Sequence, residues 1–128
     1  MKFQIARLDH LQIAAPEGCE AAARDFYGDR LGLREIPKPT SLQSRGGCWF
    51  ACGPQQLHIG VEKDFRPARK AHPAFAVTNL DDLRQSLLAS GVKVTDDSSI
   101  PGVHRFHAED PWGNRLEFLE AFPQDLSN

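Results

Sequence analysis

The chain has no apolar stretch long enough to cross a bilayer, and its opening Met1-Lys2-Phe3-Gln4-Ile5-Ala6-Arg7 lacks the apolar core of a secretory signal. A membrane partner is therefore not expected, and the expected address is cytoplasmic. Cysteine is scarce: three residues, an odd number without framework spacing, fit a reducing compartment better than a disulfide-stapled secreted domain. Excess charge of one sign is also lacking, since 15 Lys and Arg stand against 17 Asp and Glu and no run of like charges occurs. Without such a field nothing draws in nucleic acid or anionic lipid, and a small molecule is the expected partner.

What is present is ordinary globular composition over 128 residues, enough for one compact domain. Phe3 to Ala14 alternates like a strand, with Pro16 as its stop. Glu17 to Leu31 reads as a helix, with Ala22, Phe26 and Arg30 at i+4 spacing and Gly32 placed to end it. A short strand at Leu33 to Ile36 follows. Strands at Gly47 to Cys52 and Gln55 to Val61 are joined by Gly53-Pro54, a hairpin signal. Cys48 and Cys52 would share one strand face; a soft metal site is conceivable there, but small buried hydrophobes are the simpler reading.

After a polar linker from Asp64 to Lys70 the same order restarts. Ala71 to Val77 reads as a strand. Asn79 is placed to cap a helix whose Leu80, Leu83, Leu87 and Leu88 form one apolar face, with Gly91 after it. Val92 to Thr95, Val103 to Ala108 and Arg115 to Ala121 supply three more strands, the last two joined by the tight-turn composition Asp110-Pro111-Trp112-Gly113-Asn114. The fold class expected is α+β: one domain over 1–128 made of two tandem βαβββ units, about 3–61 and 71–122, whose curved sheets enclose a metal or substrate cavity.

Each half opens on a histidine, His10 or His72, and carries His58 or Glu117 in its last strand. Strand alternation puts Leu11, Ile13, Leu57, Ile59, Phe75, Val77, Leu116 and Phe118 toward the helices. His10, His58, His72 and Glu117 then all fall on the faces away from them. Imidazole and carboxylate donors suit one divalent ion, Fe, Mn, Ni, Co or Zn, and two histidines with one carboxylate leave positions open for substrate. His58 is a fourth ligand or a base. Arg105 and His107 flank the apolar Phe106 and should share the open face, where they would hold an anionic or oxygen-rich substrate. Gln12 and Trp49 are weaker candidates, and Arg66, Arg69 and Lys70 read as a solvated loop.

At this level of detail the chain resembles the vicinal oxygen chelate superfamily, the group of glyoxalases, bleomycin-resistance proteins, fosfomycin-resistance proteins and extradiol dioxygenases. The resemblance is carried by Leu8-Asp9-His10, Phe26-Tyr27, Leu31-Gly32-Leu33, Ala71-His72-Pro73-Ala74-Phe75 and, most specifically, the run from Asp110 to Glu117. It implies a glyoxalase-like fold, a homodimer, and His10, His72 and Glu117 as metal ligands. It also puts His58 where a glyoxalase I-like member carries a glutamate implicated in proton transfer. The function expected is that of a metal-dependent lyase, isomerase, transferase or dioxygenase whose small oxygen-rich substrate chelates the ion. The alternative is a non-catalytic binding protein of the antibiotic-sequestering, bleomycin-resistance type.

Overall fold

A computed structural model describes residues 2–126, in which the chain divides between Phe65 and Arg66 into two compact units. The first holds strands β1 (His10–Ala15), β2 (Glu35–Ile36), β3 (Cys48–Cys52) and β4 (Gln55–Val61) in the order β1-β4-β3-β2. β1 runs parallel to β4, while β3 is antiparallel to both β4 and β2. The second unit repeats this with β5 (Ala74–Val77), β6 (Val94–Asp97), β7 (Arg105–Glu109) and β8 (Arg115–Glu120), ordered β5-β8-β7-β6 with the same directions. Two βαβββ units of an α+β fold result. No helix among the described residues is long and apolar enough to cross a membrane.

β1 starts seven residues later than its alternation suggests, for a topological reason. Its only neighbour is β4, and the pairing already reaches Gln56 at His10, next to the turn at Gly53 and Pro54. Upstream of His10, among the described residues, β4 offers only the Gln55 side chain, which donates to the Leu8 carbonyl at 3.2 Å, and Phe3, Ile5 and Leu8 are exposed. β5 is likewise shortened, beginning after Pro73, which has no N–H to give the ladder; the carbonyl of Pro73 still accepts from Glu117 N–H at 3.0 Å.

Helix α1 (Glu20–Ala23) continues as a wider π-helical stretch over Arg24–Arg30, closed by the Leu31 N–H on the Phe26 carbonyl at 2.9 Å. Cys19, Ala23, Phe26 and Tyr27 form its buried side, against Phe50, Leu57 and Ile59 of the sheet. In the second unit α2 (Leu80–Ala89) buries Leu80 and Leu87, while Phe106, Leu116 and Phe118 line the core face of the sheet. Leu88, expected on the apolar face, is exposed. Asn79 does not cap α2 with its side chain: it sits in the left-handed region at φ 54°, and the Leu80 N–H is taken instead by Glu120 Oε1 at 3.1 Å. All three cysteines are free thiols, with Cys19 and Cys48 buried, and Cys19 pushed up to about 11, chiefly by that burial. Among the described residues no cysteine joins a metal-competent cluster.

The Glu20 carboxylate ties helix α1 to the start of β3 in the first unit. Glu20 Oε2 accepts the Gly47 N–H at 2.6 Å, and that bond holds the Glu20 carboxyl below its ordinary value. Glu20→Gln keeps an acceptor but removes the charge, and should cost about 1 kcal/mol at neutral pH. Because the folded-state pKa is the lower one, the parent's advantage is fully present above the ordinary value of 4.5 and is lost as pH falls through the folded-state value. Urea denaturation of both proteins at neutral pH and at about pH 3 should show the gap closing on acidification.

Candidate metal centre

The register of the mixed second sheet, antiparallel from β6 to β8 and parallel between β8 and β5, sets side chains of its open face in rows. Thr95, His107, Glu117 and Ala74 are successive neighbours across β6, β7, β8 and β5; Asp97, Arg105, Leu119 and Ala76 form the next row. His72 is separated from β5 by Pro73 alone, and its Nε2 lies 2.9 Å from Glu117 Oε1. His107 Nε2 lies 3.4 Å from the same oxygen. One donor atom each from His72, His107 and Glu117 fall within 4.8 Å of one another.

The surroundings of these donors fit a cation. His72 Nδ1 is 2.8 Å from the Lys70 carbonyl, which only accepts, so Nδ1 carries the hydrogen. Its Nε2 then faces a carboxylate oxygen, an approach that is satisfied only by a proton or a metal ion between them. His107 turns its Nδ1 to Asp97 Oδ2 at 3.7 Å. The carbonyl behind His72 is a usual support of a metal-ligating histidine, while the Asp97 carboxylate acts on His107 through charge at a distance beyond a hydrogen bond. Burial first, then the Arg115 cation, hold His107 below its ordinary pKa against the pull of Glu117 and Asp97, which favours its neutral form at pH 7. Burial alone would raise Glu117; hydrogen bonds from His72 and Arg105 outweigh it and keep the carboxyl below its usual range.

Arg105 is fully engaged on one side of this web. Its Nη1 donates to Glu117 Oε2 at 3.2 Å, and its Nη2 reaches Asp97 Oδ2 at 3.0 Å and Ser99 Oγ at 2.9 Å. Its Nε is buried with no partner among the described residues. The Glu117 carboxylate is thereby divided: Oε2 is held by Arg105 and Oε1 is turned to the two imidazoles.

The remaining candidates lie together in the first unit, at the matching register positions. Gln12, His58 and Trp49 are neighbours across β1, β4 and β3, as Ala74, Glu117 and His107 are across β5, β8 and β7. His58 is buried and stacked between His10, centroids 4.2 Å apart, and Trp49, 3.7 Å away and within 2° of parallel. Its Nε2 donates to Gln56 Oε1 at 2.8 Å, and burial, then the neighbouring His10, hold its pKa below the ordinary value. Where the second unit has a polar triad, the first has an aromatic stack. Trp49 is thus the wall of a histidine, and His10 pairs its Nδ1 with Asp9 Oδ2 at 3.0 Å.

Asp97 is the residue that sequence reasoning missed. A strand ending at Thr95 leaves it in a loop, but β6 runs on to Asp97 and sets it opposite Arg105. Its period-2 spacing from Thr95 was the available signal.

The model of the Glyoxalase/Bleomycin resistance protein/Dioxygenase superfamily matches residues 7–118. The chain belongs to that superfamily. A glyoxalase family protein from Bacillus anthracis is 53% identical, with a TM-score of 0.91 over 95% of this chain and 100% of that one. At 21% identity, a lactoylglutathione lyase from Agrobacterium tumefaciens superposes with a TM-score of 0.71, covering 91% of this chain and 94% of its own. The fosfomycin resistance protein FosX from Listeria monocytogenes, 15% identical, gives 0.73 over 95% and 98%. The last two share the glyoxalase fold with this superfamily member at identities that speak for the fold alone. No curated protein matches the chain.

Proposed function

We propose that this superfamily member is a metal-dependent enzyme acting on a small oxygen-rich molecule, two neighbouring oxygens of which chelate one divalent ion held by His72, His107 and Glu117. The observation that carries the reading is the convergence of two imidazoles on Glu117 Oε1, with a carbonyl behind His72 and a carboxylate charge behind His107. When bound, the ion supplies Lewis-acid stabilisation of negative charge on a substrate oxygen. The chain's own residues supply the rest. Asp97 places a negative charge beside His107, Arg105 fixes the free oxygen of Glu117, and Ala74 and Ala76, without side chains beyond Cβ, leave the face beside the carboxylate open to substrate. His58, neutral at pH 7 and positioned by Gln56, is the group suited to accept a proton in the first unit.

The test is elemental analysis of protein purified without a metal-binding tag, beside His72→Ala, His107→Ala and His10→Ala. Near-stoichiometric metal in the parent is expected, with loss in His72→Ala and His107→Ala. Metal retained in His107→Ala but lost in His10→Ala would move the third ligand to the first unit, as the resemblance alone implies. A parent that neither carries nor takes up a divalent ion would overturn the reading and leave a binding protein of the sequestering type. Iron with oxygen-dependent turnover would select ring-opening oxygenation, and Ni, Co, Zn or Mn would select lyase, isomerase or transferase chemistry.

A further inference from the structure

Next to the triad, on the side away from Arg105, the second unit has a cavity of about 210 Å³ lined by Arg69, Lys93, Thr95, His107, Glu109 and Arg115, among others. That is room for roughly seven waters, or for one carboxylate or phosphate group with part of its shell. Three cations meet a single carboxylate there. Among the described residues none of the three side-chain cations forms an ion pair, although Glu109 and Arg115 are register neighbours. Like charges around one small cavity repel, and an anion between them relieves the repulsion.

Two of the cations are set in place through the backbone, Arg115 on β8 and Arg69 in the linker, while Lys93 is an exposed side chain just before β6. Arg115 N–H donates to the Ala68 carbonyl at 2.8 Å, and Ala68 N–H donates to Asn114 Oδ1 at 2.8 Å. The linker is thus laid against the turn at Asp110–Asn114, which its own Asp110 Oδ1 closes by accepting from Trp112 N–H and Asn114 N–H. A Cβ at Gly113 would lie 3.4 Å from Pro67. This anchoring brings Arg69 to the rim of the cavity, while Arg66, Arg69 and Lys70 remain exposed as a solvated loop would be. Arg105, expected to hold an anion, is instead committed to Asp97, Glu117 and Ser99. His107 is the residue common to the triad and the cavity.

We infer that the cavity is an anion subsite, in which Arg69, Lys93 and Arg115 receive a carboxylate or phosphate arm of the same substrate whose oxygens the triad's ion chelates. The substrate class is then an oxygen-rich acid or phosphate ester with its anionic group next to the chelating pair. This rests on the metal reading for its second half only, because the subsite itself needs no ion.

The experiment titrates metal-free protein with inorganic phosphate and, separately, with succinate at constant ionic strength, following backbone amide shifts. Saturable shifts concentrated at Lys93, Thr95, His107 and Arg115 are expected. The variant carrying Lys93→Gln and Arg115→Gln should weaken binding at least tenfold, while Lys63→Gln on the first unit leaves it unchanged. Tighter phosphate or tighter succinate tells which arm the site prefers. Shifts that follow ionic strength without saturating, or a titration that the double variant leaves unaltered, would overturn the subsite. Metal content measured on the same samples separates the two readings: a parent that takes metal but no anion loses the subsite alone, and one that binds anion here without taking metal loses the chelation alone.

Discussion

Glu117→Gln should abolish the thermal stabilisation that divalent metal gives the parent. The substitution keeps the shape of the side chain and an oxygen acceptor, so the row of Thr95, His107 and Ala74 around it need not repack. What it removes is the charge on which both imidazoles converge, at 2.9 and 3.4 Å. A ligand at about a hundred times its dissociation constant stabilises by about 2.7 kcal/mol, which for a domain of this size is a shift on the order of 10 °C. In the variant that shift should fall to near zero. A second, opposite comparison belongs to the metal-free proteins. There Arg105 loses a charged partner at 3.2 Å while its side chain remains mostly buried, keeping only Asp97 and Ser99. Removing one member of a largely buried pair costs up to about 3 kcal/mol, so the metal-free variant should melt below the metal-free parent. Scanning calorimetry with and without added metal reads both effects. Equal stabilisation of parent and variant by metal would remove Glu117 from the site.

That His107 and Glu117 share the open face is legible in the sequence because strand alternation is a strict period, but their grouping with His72 is not: the sequence points to His10, His72 and Glu117 as ligands and to His107 as a substrate contact. Once Phe106 and Phe118 are assigned to the core, His107 and Glu117 must share the other face, and the register makes them neighbours. The repeat was legible for the same reason, since each unit must bury one face of its sheet against its helix. What alternation cannot supply is where a strand ends. β1 is bounded by the reach of β4, a non-local fact, so Phe3 to Asp9 read as strand and are not. β6 extends to Asp97 because Arg105 is there to pair with, and without that partner an aspartate reads as loop. The role of a charged residue is equally non-local. Arg105 reads as a substrate contact and Arg69 as part of a solvated loop; Asp97 and Glu117 consume the first, and the anchored linker presents the second to a cavity. Nor does sequence say that matching positions of the two units hold different things. Trp49 and His58 stack where His107 and Glu117 offer ligand atoms.

Gly47→Ala should be the most damaging single methyl in the first unit, costing about 3 kcal/mol or more. Two separate penalties act at this position. Its φ of +84° is a conformation that L residues adopt at a cost of roughly 1–2 kcal/mol. In addition, a Cβ there would lie 2.0 Å from the carbonyl oxygen of Ile59. That oxygen belongs to β4, which is paired on one side to β1 and on the other to β3, so it cannot withdraw as a flexible side chain would. Relief must come from moving Gly47 itself, which breaks the 2.6 Å bond to Glu20 and pulls at Cys48, the first residue of β3. Overpacking of this kind adds about 1–3 kcal/mol. Gly53→Ala is the matched control. Its φ is +57° but nothing lies within 4 Å of the added carbon, so only the backbone penalty remains and about 1 kcal/mol is expected. Urea denaturation of the two variants separates conformation from contact. If Gly47→Ala is no worse than Gly53→Ala, the close approach of the Gly47 backbone to β4 is wrong, and with it the tie through Glu20 that fixes where β3 begins.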